Sequence, residues 1–301
     1  MKIKIIKKKL SNKEPTKDIS RDDIENKLPL STSKNKRLVK LSKDIIFGSN
    51  LIPVIAGPNG VESMELMVKV AKQLKKNKIN IIRGHAYKPL TFPYRSKHYS
   101  ETQSKGMDIM DTIKKEFKLK VVTELTEIKY LDRVLKTADI LQVGSRNMQN
   151  LELLREVSRT KKPIILKRHF GSSLRDLLGA AEHILVEGNF NLILCERGVS
   201  IPHTHRSTSR FALDVQAIPA LKEISNFPII SDPSHASFWA PWVPPLTYAS
   251  ISAGCDGLII EMHPTPKKSH VDPLQPLNFI EFKKLINQSR KLSKVFGRKI
   301  I

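Results

Sequence analysis

Cationic side chains recur at one kind of place in this sequence of 301 residues, at or shortly after the ends of short apolar runs. Arginine and lysine side chains that converge on one cavity can hold phosphate and carboxylate groups through charge-assisted hydrogen bonds. Ion pairs with Glu124, Glu196 and Glu261 are the alternative, and they could account for part of the set. The pattern therefore indicates a cavity for a ligand with more than one anionic group. The cations are Arg83, Lys88, Arg146, Lys167, Arg168 and Arg197.

A second set of residues could bind a metal ion. His235, Glu261 and Asp272 also follow apolar runs, and Asn59 follows the first of them. One imidazole with two carboxylates suits a divalent cation such as Mn, Fe, Co or Zn. Hydrogen bonds from neighbouring groups could satisfy each of them instead, so both interpretations stay open. The other nearby histidines, which are more typical of loop residues than of ligands, are His203, His205, His263 and His270.

Eight apolar runs must position these side chains. Each run is continuously apolar instead of alternating, as in a parallel strand that is buried on both faces, and amphipathic segments lie between the runs. Eight such units in about 250 residues predict a (β/α)8 barrel, whose chemistry lies at the carboxyl ends of the strands. A doubly wound open sheet is the rival, but no G-x-G-x-x-G follows the first run. The runs cover residues 52–56, 79–83, 120–123, 139–143, 163–167, 191–195, 228–231 and 257–261, and the predicted helices cover 62–76, 107–117, 150–159, 174–187, 212–224 and 246–253.

Composition and charge exclude several classes of protein. The chain is 40% hydrophobic, has only 2 cysteines and contains no apolar run long enough to cross a bilayer, so we expect a cytoplasmic protein without disulfides or a membrane partner. The net charge of +23 invites a nucleic-acid interpretation. However, the lysines are spread at helical spacing, as on solvated faces, and no basic stripe with interleaved aromatic residues accompanies them. A genome bias towards lysine and isoleucine, together with anionic substrates, explains the charge better than a nucleic-acid partner does.

Residues 1–45 differ from the rest of the chain because they are polar and lysine-rich. They lack the apolar stretch and cleavage site of a secretory signal, and acidic residues follow soon after the basic start. We expect a short basic N-terminal arm or lead-in over 1–45, too short to be a regulatory domain, and one catalytic barrel over 46–301.

The ends of the apolar runs carry longer motifs: Ile55-Ala-Gly-Pro-Asn-Gly-Val-Glu-Ser63, Arg83-Gly-His-Ala-Tyr-Lys-Pro89, Gln142-Val-Gly-Ser-Arg-Asn-Met-Gln149, Lys162-Pro-Ile-Ile-Leu-Lys-Arg168, Cys195-Glu-Arg-Gly198, Asp232-Pro-Ser-His-Ala236 and Gly257-Leu-Ile-Ile-Glu-Met-His-Pro264. In order and spacing, over about residues 38–285, they closely resemble 3-deoxy-D-arabino-heptulosonate 7-phosphate (DAHP) synthase. The resemblance is to its short type I beta branch, which is related to 3-deoxy-octulosonate 8-phosphate synthase.

The resemblance implies a (β/α)8 barrel in a homo-oligomer, a dimer or tetramer. It also implies condensation of phosphoenolpyruvate with a phosphorylated aldose, most simply erythrose 4-phosphate, with release of phosphate, which is the first step of the shikimate pathway. A divergent enzyme with another aldehyde acceptor, and a catalytically silent barrel that binds phosphoenolpyruvate, are the alternatives. The implied phosphoenolpyruvate contacts are Arg83, Lys88, Arg146, Lys167 and Arg197, with Arg168 beside them, and the implied catalytic residues are Lys88 and His235.

One departure from the family pattern concerns the metal. Metal-dependent members carry a cysteine where this chain has Asn59, whereas His235, Glu261 and Asp272 match the other three ligand positions. A neutral amide supplies neither the charge nor the soft sulfur of a thiolate. Metal-independent octulosonate synthases also have asparagine at this place. We therefore expect no tightly bound cofactor, or a weakly held divalent metal.

Other departures concern the aldehyde acceptor. Leu90 stands where the family's arginine grips the aldose phosphate, and His85, His169 and Phe238 replace glycines of the pattern. Glycine often marks a close approach of backbone or ligand, so these larger residues predict a reshaped acceptor pocket. Candidates to restore a phosphate site are Arg95, Lys97 and His98.

Overall fold

The computed structural model describes residues 28–33, 35–88, 101–202 and 211–301. Six residues that the sequence singles out lie outside this range: Leu90, Arg95, Lys97, His98, His203 and His205.

A closed barrel of eight parallel strands forms the body of the molecule, which confirms the (β/α)8 prediction. The last barrel strand pairs with the first, with Leu258 opposite Val54 and Glu261 opposite Gly57, so the sheet is not the open, doubly wound rival. The barrel strands are β4 (Val54–Gly57), β5 (Ile81–Arg83), β6 (Lys120–Glu124), β7 (Ile140–Val143), β8 (Ile164–Lys167), β9 (Leu192–Glu196), β12 (Ile229–Ser231) and β13 (Leu258–Glu261).

Helices follow the barrel strands and cover their outer faces. Side-chain caps set several helix starts: Ser63 accepts from the amide of Leu66, and Asn278 shares a capping box with Glu281. The helices are α1 (Met64–Lys76), α2 (Gln103–Phe117), α3 (Leu131–Leu135), α4 (Leu151–Arg159), α5 (Leu174–Leu185), α6 (Ala217–Ile224), α7 (Pro233–Ser237), α8 (Val243–Ser252) and α9 (Phe279–Val295), with 3-10 turns at Ile128–Tyr130, Ser145–Asn147, Ala240–Trp242 and Pro266–Lys268. Among the described residues, no helix is long and apolar enough to span a membrane.

An antiparallel hairpin of β1 (Val39–Ser42) and β2 (Ile45–Phe47) belongs to the same apolar cluster as the inner side chains of the barrel. A Cβ on Gly257 would lie 2.9 Å from the ring of Phe47, so the hairpin fits only because that position is glycine. The inner cluster contains one isoleucine or valine from each of the eight barrel strands, and this core leaves only the carboxyl end of the barrel for polar chemistry.

Residues 28–31 of the predicted lead-in contact the outside of the barrel, whereas residues 39–42 of the same segment form β1. Leu28 is buried in the main apolar cluster, and the backbone amides of Leu30 and Ser31 both donate to the carboxylate of Glu182 on α5, at 3.0 and 2.8 Å. These contacts tie residues 28–31 to the helical layer.

Short strands complete the fold at both ends of the barrel. β10 (Val199–Ser200) pairs with β11 (Phe211–Ala212) after the sixth barrel strand, and β14 (Lys299–Ile300) pairs with β3 (Leu51–Ile52). Pro53 separates β3 from β4, so the first predicted run is two strands instead of one.

Candidate active site at the carboxyl end of the barrel

A ring of charged and polar side chains closes the carboxyl end of the barrel interior. Side chains of a strand alternate between its two faces, so the residue two positions after an interior isoleucine or valine also points inward. Applied to the inner cluster, this rule places one polar strand-end residue of each of six strands inside the mouth. The inner ring consists of Arg83, Glu124, Gln142, Lys167, Asp232 and Glu261.

Arg83, at the end of β5, is fully buried at the base of this ring. Its Nη2 donates to Asn59 Oδ1 at 2.9 Å and to Glu261 Oε2 at 3.3 Å, and its Nε donates to the carbonyl of Pro58. The Arg83 backbone passes so close to residue 57 that only glycine fits there. The φ of Gly57 is +151°, and a Cβ at this position would lie 2.2 Å from the Arg83 carbonyl oxygen.

The second ion pair joins Lys88 to Glu124. Lys88 Nζ lies 3.1 Å from Glu124 Oε2, and Gln142 Nε2 donates to the same oxygen at 3.2 Å. Burial would raise the pKa of Glu124, but Lys88 and Lys167 outweigh it and hold that pKa below its usual value. A Cβ on Gly144 would lie 2.0 Å from Glu124 Oε1, so this glycine leaves room for the carboxylate.

Lys167, Asp232 and His235 form a third group. Lys167 Nζ donates to Asp232 Oδ2 at 2.5 Å, and His235 Nδ1 lies 3.0 Å from Asp232 Oδ1. Burial alone would raise the pKa of Asp232, yet His235 and Lys167 hold it well below its usual range. Burial lowers the pKa of His235 well below its ordinary value, so we take the imidazole as neutral and hydrogen-bonded to an ionised aspartate. Its Nδ1 then carries the proton and its Nε2 has a free lone pair.

Arg168 lies outside the inner ring. It follows the inward-facing Lys167 and points to the opposite side of the strand, where Nη1 contacts Glu196 Oε2 at 3.0 Å and Asp214 Oδ2 at 2.8 Å. Glu196 Oε1 in turn accepts from the amide of Gly198 at 2.6 Å. Two carboxylates therefore hold this guanidinium beneath the loop that carries Arg197.

The other two cations lie at the rim of the mouth. Arg197 follows β9 at the two-residue spacing of the inward-facing side chains. Its Nη2 donates to the carbonyl of His235 at 3.2 Å, and its guanidinium lies 4.3 Å from the centre of the Phe211 ring. Arg146, in the 3-10 turn after β7, is exposed. Both positions allow a ligand in the mouth to contact a cation from above.

Four buried polar atoms of this region have no hydrogen-bond partner in the part of the chain that the structure describes. A buried polar atom without a partner costs about 1–3 kcal/mol, so several at one place indicate that a ligand or water completes them. They are Arg83 Nη1, Gln142 Oε1, Glu261 Oε1 and Gln275 Oε1.

Of the four candidate metal ligands, only His235 and Glu261 lie close together with atoms available to a metal. His235 Nε2 lies 3.7 Å from Glu261 Oε2, and burial raises the pKa of Glu261 to about 8, which a cation would reverse. Asp272, however, accepts from Asn59 Nδ2 at 3.0 Å, while Asn59 Oδ1 is engaged by Arg83. Within the described ranges, no three His, Cys, Asp or Glu side chains lie close enough together to hold a metal. The arrangement offers two ligands, which does not fit a tightly bound ion.

The three residues that replace glycines lie in different surroundings. His85 is buried behind Glu124 and Gln142. His169 lies against Phe170, with ring centres 4.1 Å apart. Phe238 ends α7 at φ +54°, a left-handed conformation that explains why glycine suits this position. The predicted reshaping of the acceptor pocket therefore rests on His169 and Phe238 more than on His85.

Sequence reasoning missed Gln275 and Asp214. Gln275 Nε2 donates to Glu261 Oε2 at 2.6 Å, and Asp214 holds Arg168. Gln275 lies three residues after Asp272, and that proximity is the one signal that could have pointed to it. Nothing comparable marks Asp214.

A closed (β/α)8 barrel with this ring defines a class of enzymes that bind a multiply charged, phosphorylated substrate at the strand ends. Within this class, the model of the DAHP synthetase I family matches residues 28–295, and the chain belongs to that family.

Known proteins of this family are similar along most of the chain. A phospho-2-dehydro-3-deoxyheptonate aldolase of Thermotoga maritima is 37% identical over 257 residues, which are 85% of this chain and 74% of that protein. A crystal structure of the DAHP synthase from the same organism superimposes with a TM-score of 0.84 at 34% identity, covering 96% of this chain and 80% of that one. A 2-dehydro-3-deoxyphosphooctonate aldolase of Fusobacterium nucleatum is 25% identical over 85% of this chain and 96% of its own length.

Proposed function

We propose that this protein condenses phosphoenolpyruvate with erythrose 4-phosphate to a 3-deoxy-2-ketoaldonate phosphate and releases phosphate, as a cytoplasmic homo-oligomer. One observation supports the proposal: five cationic side chains lie around the carboxyl end of the barrel. Arg83, Lys88 and Lys167 lie at the base of the mouth, and Arg146 and Arg197 lie at its rim. A ligand that carries both a phosphate and a carboxylate matches such a set of fixed cations. The family assignment points to the same reaction.

Phosphoenolpyruvate lies in this mouth with its two anionic ends on different cations. The unpartnered Nη1 of Arg83 supplies a donor at the base of the mouth. Without ligand, Lys88 is paired with Glu124 and Lys167 with Asp232. When the ligand binds, each lysine contacts the ligand as well as its carboxylate. Arg168 acts as a positioning residue, because it holds Glu196 under the Arg197 loop.

The reaction forms one carbon–carbon bond and exchanges one carbon–oxygen bond at C2, where the oxygen of water enters and the oxygen of phosphate leaves. C3 of phosphoenolpyruvate attacks the aldehyde carbon, and the aldehyde oxygen takes a proton from the ammonium of Lys88. Water adds to C2, and His235 Nε2 takes its proton while Asp232 stabilises the imidazolium. The C2–O bond to phosphate then breaks as the new C2 hydroxyl gives its proton to the departing phosphate, which leaves the ketone and inorganic phosphate. His235 returns its proton to solvent and Lys88 regains one from solvent. The cations stabilise charge that moves onto the phosphoryl group.

Divalent metals serve enzymes of this family, and the chain supplies only part of such a site. Any divalent ion is held weakly at His235 and Glu261 and exchanges readily. No step above depends on it.

A different aldehyde acceptor is the second candidate. Leu90 cannot bind a phosphate, and Phe238 occupies a position where the conformation favours glycine. Both changes affect the acceptor side and leave the phosphoenolpyruvate cations intact.

Release of phosphate from phosphoenolpyruvate, assayed with erythrose 4-phosphate and with a panel of other phosphorylated and free aldoses, tests both candidates. Lys167→Ala should weaken phosphoenolpyruvate binding by about tenfold to a hundredfold, since a charge-assisted contact is worth about 1.5–3 kcal/mol. Lys283→Ala, on the exposed face of α9, is the matched control. Tight binding of phosphoenolpyruvate without turnover of any aldose would instead establish the silent barrel.

A further inference from the structure

His85 is buried directly behind Glu124 and Gln142 of the inner ring, and the proposed reaction gives it no role. It lies after β5 and is only 1% exposed. Its backbone amide donates to the carbonyl of Asn59 at 3.1 Å and its carbonyl accepts from Val61, so the main chain fixes its position. The ring lies against β6 and β7, beside Glu124 and Gln142.

The hydrogen bonds of the ring determine its tautomer. His85 Nδ1 accepts from the backbone amide of Glu124 at 2.9 Å. A backbone amide can only donate, so Nδ1 carries no proton and the proton of the neutral ring is on Nε2.

The Nε2–H group has no acceptor within hydrogen-bond range in the described chain. Its nearest polar neighbour is Gln142 Nε2 at 3.4 Å, which is itself a donor. Reversing the Gln142 amide would put its oxygen 3.2 Å from Glu124 Oε2, where two acceptors would repel each other, so the amide nitrogen belongs where it is. The carboxylate oxygen Glu124 Oε2 lies 3.9 Å from His85 Nε2, just beyond hydrogen-bond range.

Glu124 Oε2 is the atom whose partners a bound ligand would change. Lys88 Nζ and Gln142 Nε2 both donate to it. When an anion enters the mouth, Lys88 must divide its charge between that anion and Glu124, and the carboxylate then faces a like charge with less compensation. A further donor is needed at Glu124 Oε2 at that moment.

We propose that His85 is a positioning residue that holds Glu124 when phosphoenolpyruvate is bound. Its Nε2–H closes from 3.9 Å onto Glu124 Oε2 as Lys88 turns toward the ligand, so that Glu124 keeps its place and Lys88 stays aligned with the aldehyde. The inference rests on the proposed function, because it requires phosphoenolpyruvate in this mouth. A neutral donor suits the task, since it adds no charge that would compete with Lys88 for the ligand.

Two substitutions separate this role from a merely structural one. In His85→Asn, the side-chain oxygen can still accept from the Glu124 amide, but no donor reaches Oε2. In His85→Gln, the longer amide can supply a donor near the Nε2 position, and the bond to the backbone amide is lost. Calorimetry should show phosphoenolpyruvate bound about tenfold more weakly by His85→Asn and almost normally by His85→Gln. The melting temperature should fall in His85→Gln and hold in His85→Asn.

The wild-type protein gives a readout that does not depend on the folding of a variant. With ¹⁵N-labelled histidine, the His85 signals, assigned from their loss in His85→Gln or His85→Asn, should show a protonated Nε2 and an unprotonated Nδ1. Phosphoenolpyruvate should move the Nε2 proton downfield, as expected for a new bond to a carboxylate. An Nε2 signal unchanged at saturating phosphoenolpyruvate, or His85→Asn binding as tightly as wild type, would overturn the inference. Wild-type protein that binds no phosphoenolpyruvate at all would overturn the proposed function instead.

Discussion

Replacement of Asp232 by asparagine tests how the site divides binding from proton transfer. Asp232 is fully buried, accepts from Lys167 Nζ at 2.5 Å and from His235 Nδ1 at 3.0 Å, and fixes the imidazole proton on Nδ1. Asparagine can present its NH2 group to that nitrogen, which moves the imidazole proton to Nε2. The atom that takes the proton from water is then blocked, and kcat should fall by about 10²–10⁴-fold.

The same substitution should leave phosphoenolpyruvate binding intact. Lys167 loses its counter-charge and has more of its own charge available to the ligand, so the KM for phosphoenolpyruvate should not rise. A fall in kcat without a rise in KM distinguishes loss of a proton acceptor from loss of the binding site.

Stability gives an independent measure of the same change. Removing one partner of a buried ion pair costs about 3–5 kcal/mol, which corresponds to roughly 6–20 °C in melting temperature at pH 7. The folded-state pKa of Asp232 lies below its unfolded value, so its contribution is complete above about pH 4 and is lost as the pH falls through the folded pKa. The difference between variant and wild type should therefore shrink in acid.

Steady-state kinetics and differential scanning calorimetry on Asp232→Asn, with the exposed Asp132→Asn as control, make the comparison. A variant that melts at lower temperature yet keeps kcat within about tenfold of wild type would show that His235 does not accept the proton.

Three further predictions concern metal binding, the pH dependence of thermal stability and the lead-in. Chelator should reduce activity only partly, and Asn59→Cys should raise Zn²⁺ affinity in a competition assay, because it supplies a thiolate; activity abolished by chelator and restored by one equivalent of metal would contradict this. With chelator present, Glu261→Gln should melt at higher temperature than wild type at pH 9 and almost equally at pH 5. The folded pKa of Glu261, about 8, exceeds its unfolded value, so wild-type stability declines as pH rises between the two; equal shifts at both pH values would refute it. Glu182→Gln weakens two backbone hydrogen bonds of the lead-in and should lower the melting temperature by a few degrees, whereas the exposed Glu116→Gln should not.

Most of the fold could be predicted because each barrel strand is buried on both faces and therefore appears as an apolar run. All eight runs became barrel strands, with only Pro53 dividing the first. The long C-terminal helix α9 was not predicted, and its buried face explains why: Phe282 and Leu285 give way to Ser289 and Ser293, so the apolar periodicity fades along the helix. Helix α7 has only five residues, which is too short to show any period.

The expectation that polar side chains at the carboxyl ends of the strands form the site also located the cations. It could not predict which of these cations face the mouth. A strand that is apolar on both faces does not reveal its alternation, so neighbouring Lys167 and Arg168 look equivalent in the sequence. In the structure one faces the barrel interior and the other contacts Glu196 and Asp214 outside it. Which face a side chain takes depends on register across the barrel, which is non-local information.

The pairing of charges at the mouth has a consequence for selectivity. Three inner cations each contact a carboxylate before any ligand arrives: Arg83 with Glu261, Lys88 with Glu124 and Lys167 with Asp232. The ionised carboxylates of Glu124 and Asp232 neutralise Lys88 and Lys167 locally, whereas Glu261, whose pKa burial raises to about 8, leaves most of the Arg83 charge uncompensated at neutral pH. A ligand must therefore compete with carboxylates that are already in place. An anion that reaches one cation gains little from the exchange, whereas one with a phosphate and a carboxylate at the right separation draws on several cations at once. The site thus favours multiply charged ligands through the cost of breaking its own ion pairs.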